Sequence, residues 1–487
     1  MQDQMAVRDA QSFRPRSGRR ANLARRIFRR LARTAIALSW AAVPALACAG
    51  EVAIYEGARL IVGDGRVIED GALVVRDGRF VEIGPSNAVV VPRGAKRIKL
   101  AGKTIMPALI EGHAHFGYNC YTDWGSSCYS RANIIKQLNM LPYYGIAAAF
   151  DPGTDPNDFI MRLIADQRAG RVGGAALHVA GGMSVPNGGP NRTLIVEIAK
   201  LQSRYPGDEI VRLASTTEEA RQQVRAIKDK GYSYVKIWVT SRGGLQPKMP
   251  PEIYRPIIAY AHALGMKVVV HHETVEDYKS LAHAGVDGFL HGFFHKEMLI
   301  DREILPLIKA SGAWIMPNTS VGSLQGPALF ADSFFSDLVR PEVIARLRSD
   351  YEAHLKDPTI RLPSATLQDV SANEQVIPAL VQAGIPIVLG SDSGGIRDYP
   401  YGYPLHRELA NLVRYGMTPM QALMAGTSVS AEKLGIAGLG ALKPANDASF
   451  IVLDANPLDD IANTRRINAV YLNGKKVDRD AIKARPM

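Results

Sequence analysis

The chain has 487 residues, 47% hydrophobic and 22% charged, the ordinary balance of a globular enzyme, with room for a barrel domain and roughly 100 further residues. Its formal charge of +11 at pH 7 suggests a nucleic-acid or membrane-surface protein. Residues 1–33, however, hold ten Arg and two Asp, so only +3 remains on the rest, and a charge-driven partner of that kind is excluded.

In chain order, residues 1–49 read as an export signal. The arginine-rich start precedes the uncharged stretch from Thr34 to Gly50, which contains Pro44, ends in small residues and is too short for a membrane span. Ala45-Leu46-Ala47 or Ala47-Cys48-Ala49 would serve for cleavage, and Arg25-Arg26 with Phe28 is similar to a twin-arginine signal. A lipid anchor on Cys48 is disfavoured, because Ala45 stands where a lipobox prefers Leu. The mature protein is therefore expected in the periplasm or outside the cell, with no stable membrane anchor.

Residues 50–105 read as short strands broken by turns, with Asp64-Gly65 and Asp77-Gly78 as hairpin signals. Residues 436–487 repeat the style in "ASFIVLDA" and "AVYLNGKKV". Neither end can bury a core alone, so both are expected to pair into one small β-sandwich. Residues 106–435 alternate apolar strands with amphipathic helices, which predicts an α/β fold, a (β/α)8 TIM barrel. Strands are expected at 145–151, 175–181 and 313–317. Two long excursions, 182–216 and 318–372, are expected at the rim as lids or specificity walls. Cys120 and Cys128, both after the first barrel strand, are disulfide candidates in an oxidising compartment.

Metal-ligand residue types end or occupy the barrel's strand-like runs in one order. They are His113 and His115 in "TIMPALIEGHAH", Lys236 in "YSYVKIWV", His271 in "MKVVVHHE", His291 in "VDGFLHG" and Asp392 in "IPIVLGSD". Parallel barrel strands bring such ends to one rim. His113 and His115 are two apart, so in extended chain they point the same way and can share one ion. Imidazoles and a carboxylate suit zinc-like ions. Lys236 can join them only if burial makes it neutral and carbon dioxide converts it to a carbamate, whose two oxygens could bridge two metals. Each residue alone has a plainer reading: a core histidine, a snorkelling lysine, a helix-capping aspartate. Together, in this order, they point to a two-metal hydrolase. His272 is expected to pack on the opposite side of its strand, and His262 and His283 to be structural helix residues.

These motifs resemble the amidohydrolase superfamily, in particular its two-metal members related to imidazolonepropionase-like and Xaa-Pro dipeptidase-like hydrolases. The resemblance rests on "KTIMPALIEGHAH", "GIAAAFDPG", "AHALGMKVVVHHE", "AGVDGFLHG", "GIPIVLGSDSG" and the closing "GALKPANDASFIVLDANPLDDI". It implies His113 and His115 on the more buried ion, His271 and His291 on the more exposed one, carboxylated Lys236 between them, and Asp392 as ligand and proton carrier. The chain departs from the pattern at Ala108, Glu111, Pro190, Ala445 and Ser449. Pro190 stands where many relatives have a rim His, so a relative's substrate does not transfer.

The expected reaction is hydrolysis of an amide-type C–N bond in a peptide, N-acyl amino acid or cyclic amide, by a hydroxide shared between two divalent ions, most simply zinc. The partner is a small-molecule substrate, and oligomeric state is left open. Tyr118, Asn187, Arg242, His295, Arg397 and His406 are candidate substrate contacts, with Arg242 or Arg397 suited to a carboxylate, and Trp124 lies in the same first rim loop. The alternatives are a lactonase, esterase or phosphotriesterase using the same site, or a barrel that has lost its chemistry.

Overall fold

In the computed structural model, the described residues are 51–292, 297–320, 326–360, 362 and 370–486. The expected export signal, with Arg25, Arg26 and Cys48, lies outside them, as does His295. Among them no helix is long and apolar enough to cross a membrane.

Strands from both chain ends hydrogen-bond in one eight-stranded sheet. Its order is Lys475–Lys476, Ile467–Leu472, Phe450–Leu453, Thr104–Pro107, Val52–Ile61, Val67–Arg76 and Arg79–Pro85, with Lys96–Lys99 alongside Val52–Ile61. The C-terminal strand Phe450–Leu453 pairs antiparallel with Thr104–Pro107. Strands of the two ends thus pair, and they do so within one continuous sheet. Asp77 and Gly78 both have positive φ (51° and 78°) and join Arg76 to its cross-strand partner Arg79, the two-residue turn their types call for.

The second sheet is parallel and curls. Its barrel strands are Leu109–Glu111, Ile146–Pro152, Ala176–Ser184, Tyr234–Trp238, Lys267–His271, Gly288–Leu290 and Trp314–Met316, in that order. Residues 386–393 bridge its two edges. Val388 N donates to Ile315 O, Gly112 N to Leu389 O, and Asp392 N to His113 O. These bonds bring the eighth segment between the seventh strand and the first. The strands are apolar because both faces are covered: Val235, Ile237, Val268, Val269 and Val270 are all essentially inaccessible.

The helices between strands follow their sequence pattern. Thr217–Asp229 starts at Thr216, whose hydroxyl accepts the Glu219 N–H, and buries Ala220, Val224 and Ile227 along one stripe. Val275–Ala284 starts with a capping box of Thr274 and Asp277 and ends at left-handed Gly285. The first excursion contains helix Arg192–Arg204 and strand Val211–Leu213, which adds to the third barrel strand. The second contains helix Pro341–Lys356.

Candidate metal centre at the barrel rim

His113 and His115 follow the first barrel strand and turn their Nε2 atoms toward each other at 3.2 Å. Asp392 Oδ1 completes a triangle, 3.4 Å from His113 Nε2 and 3.3 Å from His115 Nε2. Donors each about 2.0–2.1 Å from one tetrahedral zinc ion stand about 3.4 Å apart, so the triangle has the size that a single ion requires. Among the described residues, Asp392 Oδ1 and His113 Nδ1 are buried without a hydrogen-bond partner. The donor set therefore fits a divalent cation.

His291 and His271 extend the cluster. The His291 ring lies 4.8 Å from both the His113 and His271 rings, and His291 Nδ1 is 3.7 Å from Asp392 Oδ2. Lys236, 1% exposed, occupies the middle of the fourth strand beside the fifth, in register with Val269. Gly153, left-handed at φ +89°, passes so close that a Cβ there would stand 2.9 Å from Lys236 Cβ. Burial pulls the Lys236 ammonium down to about 7, against the attraction of Asp392 and with the help of Arg242. A neutral amine is therefore within reach. Burial also holds His113, His271 and His291 well below the usual histidine range, so they are neutral lone-pair donors. Burial opposes ionisation of Asp392, but His113, His115 and Lys236 outweigh it and keep the carboxyl low.

The surrounding polar residues aim this set. His115 Nδ1 lies 2.9 Å from Thr154 Oγ1 and 3.4 Å from Asp151 Oδ1, which leaves Nε2 facing the triangle. Burial opposes the His115 charge, yet Asp151 and Asp392 raise it to about 9. Glu111, fully buried, accepts the N–H groups of His113 (3.1 Å) and Ser391 (2.8 Å) and the Ser391 hydroxyl (2.6 Å). It thereby ties the first strand's end to the eighth. Asn318 makes a second tie: it accepts from His291 N at 3.2 Å and donates to Gly390 O at 2.7 Å. Glu408 in turn accepts both N–H groups of Thr319 and Ser320 and the Thr319 hydroxyl. Arg242, His291, Asn318 and Asp392 all have positive φ (53°, 70°, 53° and 62°), a concentration of left-handed non-glycine residues at one rim that marks a functional site.

Glu111→Gln should keep the fold's shape, but its amide NH2 replaces one acceptor oxygen and so gives up either the two N–H bonds made at Oε1 or the Ser391 hydroxyl bond made at Oε2. We expect divalent-ion affinity to fall about 10–100-fold, read by metal titration, because the ligands on both strands lose their common brace. Unchanged affinity would exclude a positioning role.

The remaining sequence candidates divide. Tyr118 is inaccessible and donates its hydroxyl to Thr154 O at 2.6 Å, so it faces the protein interior. His406, 2% exposed, is held by Thr464 Oγ1 and Tyr144 O on its two ring nitrogens and is a core residue of helix Tyr403–Arg414. For both, the polar atoms bond inward, which residue type near a strand end does not reveal. Asn187 is exposed on a left-handed turn after the third strand. Arg397 is half-exposed, its Nε 3.6 Å from Asp398 Oδ2. Arg242 is half-buried on a left-handed turn after the fourth strand. His272 packs against Tyr278 and Phe289, while His262 and His283 bond locally to Asp287 and Lys279 O. Cys120 and Cys128 are joined in a disulfide, and in that loop Trp124 donates its indole N–H to Gly394 O, two residues past Asp392.

Sequence reasoning missed Asp151, Thr154, Glu273, Asn318 and Glu408 as site-supporting residues. A signal was present for two of them: Asp151 ends "IAAAFD" and Asn318 follows "WIMP", the same polar-after-strand pattern that picked out Asp392.

Solved structures with this architecture include a protein from Bifidobacterium longum assigned as a prolidase, 25% identical, TM-score 0.63, covering 89% of this chain and 98% of that one. A Xaa-Pro dipeptidase with methionine bound in its active site is 20% identical, TM-score 0.63, covering 88% and 99%. Molinate hydrolase is 19% identical, TM-score 0.68, covering 90% and 97%. No curated protein matches significantly. The Amidohydrolase family profile matches residues 104–477, and with the rim described above the chain belongs to the amidohydrolase family.

Proposed function

We propose that this protein is a metal-dependent hydrolase that cleaves an amide-type C–N bond. The single observation that carries the reading is the triangle of His113 Nε2, His115 Nε2 and Asp392 Oδ1 at single-ion spacing, beside buried Lys236 and two further imidazoles. His113, His115 and Asp392 would hold one divalent ion and His271 and His291 a second. Lys236, carboxylated by carbon dioxide, would bridge them. Zinc is the ion these donors favour. When bound, such ions supply Lewis acidity at the scissile carbonyl and a nucleophilic water at neutral pH.

The chain's own part is to aim and to move a proton. Asp392 Oδ1 belongs to the ligand triangle, which leaves Oδ2, on the His291 side, to accept the proton of the attacking water. The same Oδ2 returns it to the leaving nitrogen, without which an amide nitrogen departs poorly. No serine or cysteine nucleophile is needed. The arginine-rich, apolar N-terminal segment and the Cys120–Cys128 disulfide support action in an oxidising compartment outside the cytoplasm.

The test is divalent dependence. Metal-reconstituted protein should carry two zinc-like ions per chain by plasma mass spectrometry and hydrolyse members of a panel of dipeptides, N-acyl amino acids and cyclic amides. Chelation should remove that activity, and readdition restore it. Cleavage confined to lactones or aryl phosphotriesters would overturn the amide assignment, and an absence of bound metal would overturn the whole reading.

A further inference from the structure

Resting on the function proposed above, we infer that Arg242 is the specificity residue of this site and holds a carboxylate that the substrate carries beside its scissile amide. The turn that bears it is clamped from two sides. Ser241 donates its N–H (2.9 Å) and hydroxyl (3.1 Å) to Glu273, and Gly243 donates its N–H at 3.0 Å. Gln246 donates to Gly189 O at 2.9 Å, tying the same turn to the loop after the third strand. Arg242 itself is left-handed at φ 53°, with its N–H on Thr240 Oγ1 at 3.2 Å. A rigid turn in a disfavoured conformation presents this one side chain.

The guanidinium lacks a partner. Among the described residues no carboxylate lies within 4 Å of it, and its Nε is buried without an acceptor. Glu273, the carboxylate acting on it most strongly, already accepts three donors from the turn. An arginine stays charged, and this one is half-buried with its Nε enclosed and without an acceptor among the described residues, so an anion that reaches the guanidinium would satisfy it. The turn follows the fourth strand, which carries Lys236, and hangs on Glu273, two residues past His271, which sets Arg242 at the rim beside the cluster. Arg397, the other cation considered for this role, is half-exposed and already lies beside Asp398. A planar fork matches a carboxylate through two parallel N–H···O bonds, so acids should be preferred over their neutral carboxamides.

The experiment measures acyl-bond cleavage by full-length, metal-loaded protein on N-acetyl-L-amino acids and dipeptides, each paired with its C-terminal carboxamide. Wild type should favour the free acids. Arg242→Met should lower kcat/KM on the acids about 100-fold more than on the matching carboxamides, mainly through KM. Arg242→Lys should recover only part of the loss, because an ammonium lacks the fork. Equal losses on acids and carboxamides, or no loss on acids, would overturn the assignment while leaving hydrolysis intact. A wild-type enzyme that carries two metals yet cleaves neither member of any pair would instead defeat the reading it rests on.

Discussion

Lys236→Met is expected to reduce amide hydrolysis by about 10³-fold or more, equivalent to about 4 kcal/mol of transition-state stabilisation, and to lower bound divalent ion below one per chain. Methionine fills nearly the same volume in the fourth strand, between register neighbours Gly182 and Val269. It removes only the amine. A lysine 1% exposed in an apolar strand is a burden to the fold, so the metal-free variant should unfold at the same temperature as metal-free wild type, or higher. Loss of metal and rate without loss of apo stability separates a functional amine from a structural one. In Lys236→Ala, which leaves space in the strand, added acetate or propionate should restore some activity by supplying the carboxylate that a carbamate would provide. A variant that keeps two ions and the wild-type rate would defeat the proposed role.

Asp392→Asn should lower kcat by about 10²–10⁴-fold, the range of a lost general base and acid, with substrate KM little changed. The substitution is unusually clean here. Asp392 has φ 62°, a left-handed conformation that asparagine also tolerates, so the rim backbone need not move. The amide oxygen can replace Oδ1 in the triangle with His113 and His115, and ion content should fall by less than half. The proton acceptor at Oδ2 is what disappears. Steady-state kinetics with metal analysis on the same preparation decides the matter: a kcat within about threefold of wild type would exclude Asp392 as the proton carrier.

The positions of the strands were legible because period and composition are local. "YVKIW" and "KVVVH" are runs that only a strand buried on both faces tolerates, and both form as expected. The order of the ligand types along the chain was legible for the same reason, since each polar residue interrupts or ends such a run. The supporting residues were not. Glu111 meets Ser391 across 280 positions, and Asn318 meets Gly390 across 72. No local pattern encodes which distant backbone group a buried carboxylate or amide will find. Tyr118 and His406 illustrate the converse: each had the right residue type near a rim segment, and each satisfied its polar atoms inward.

The sequence by itself determined the parallel strands, the strand-helix alternation, the hairpin at Asp77-Gly78 and which strand-ending residues are of metal-ligating type. Those follow from side-chain period, turn chemistry and donor type, which act over a few residues. Tertiary structure alone decided that His113, His115 and Asp392 stand at single-ion spacing, that Phe450–Leu453 is the strand that pairs with Thr104–Pro107, and that Arg242 Nε has no acceptor among the described residues while Arg397 lies beside Asp398. These depend on how the curled sheet brings its first and last strands together, and that convergence is set by packing over the whole chain.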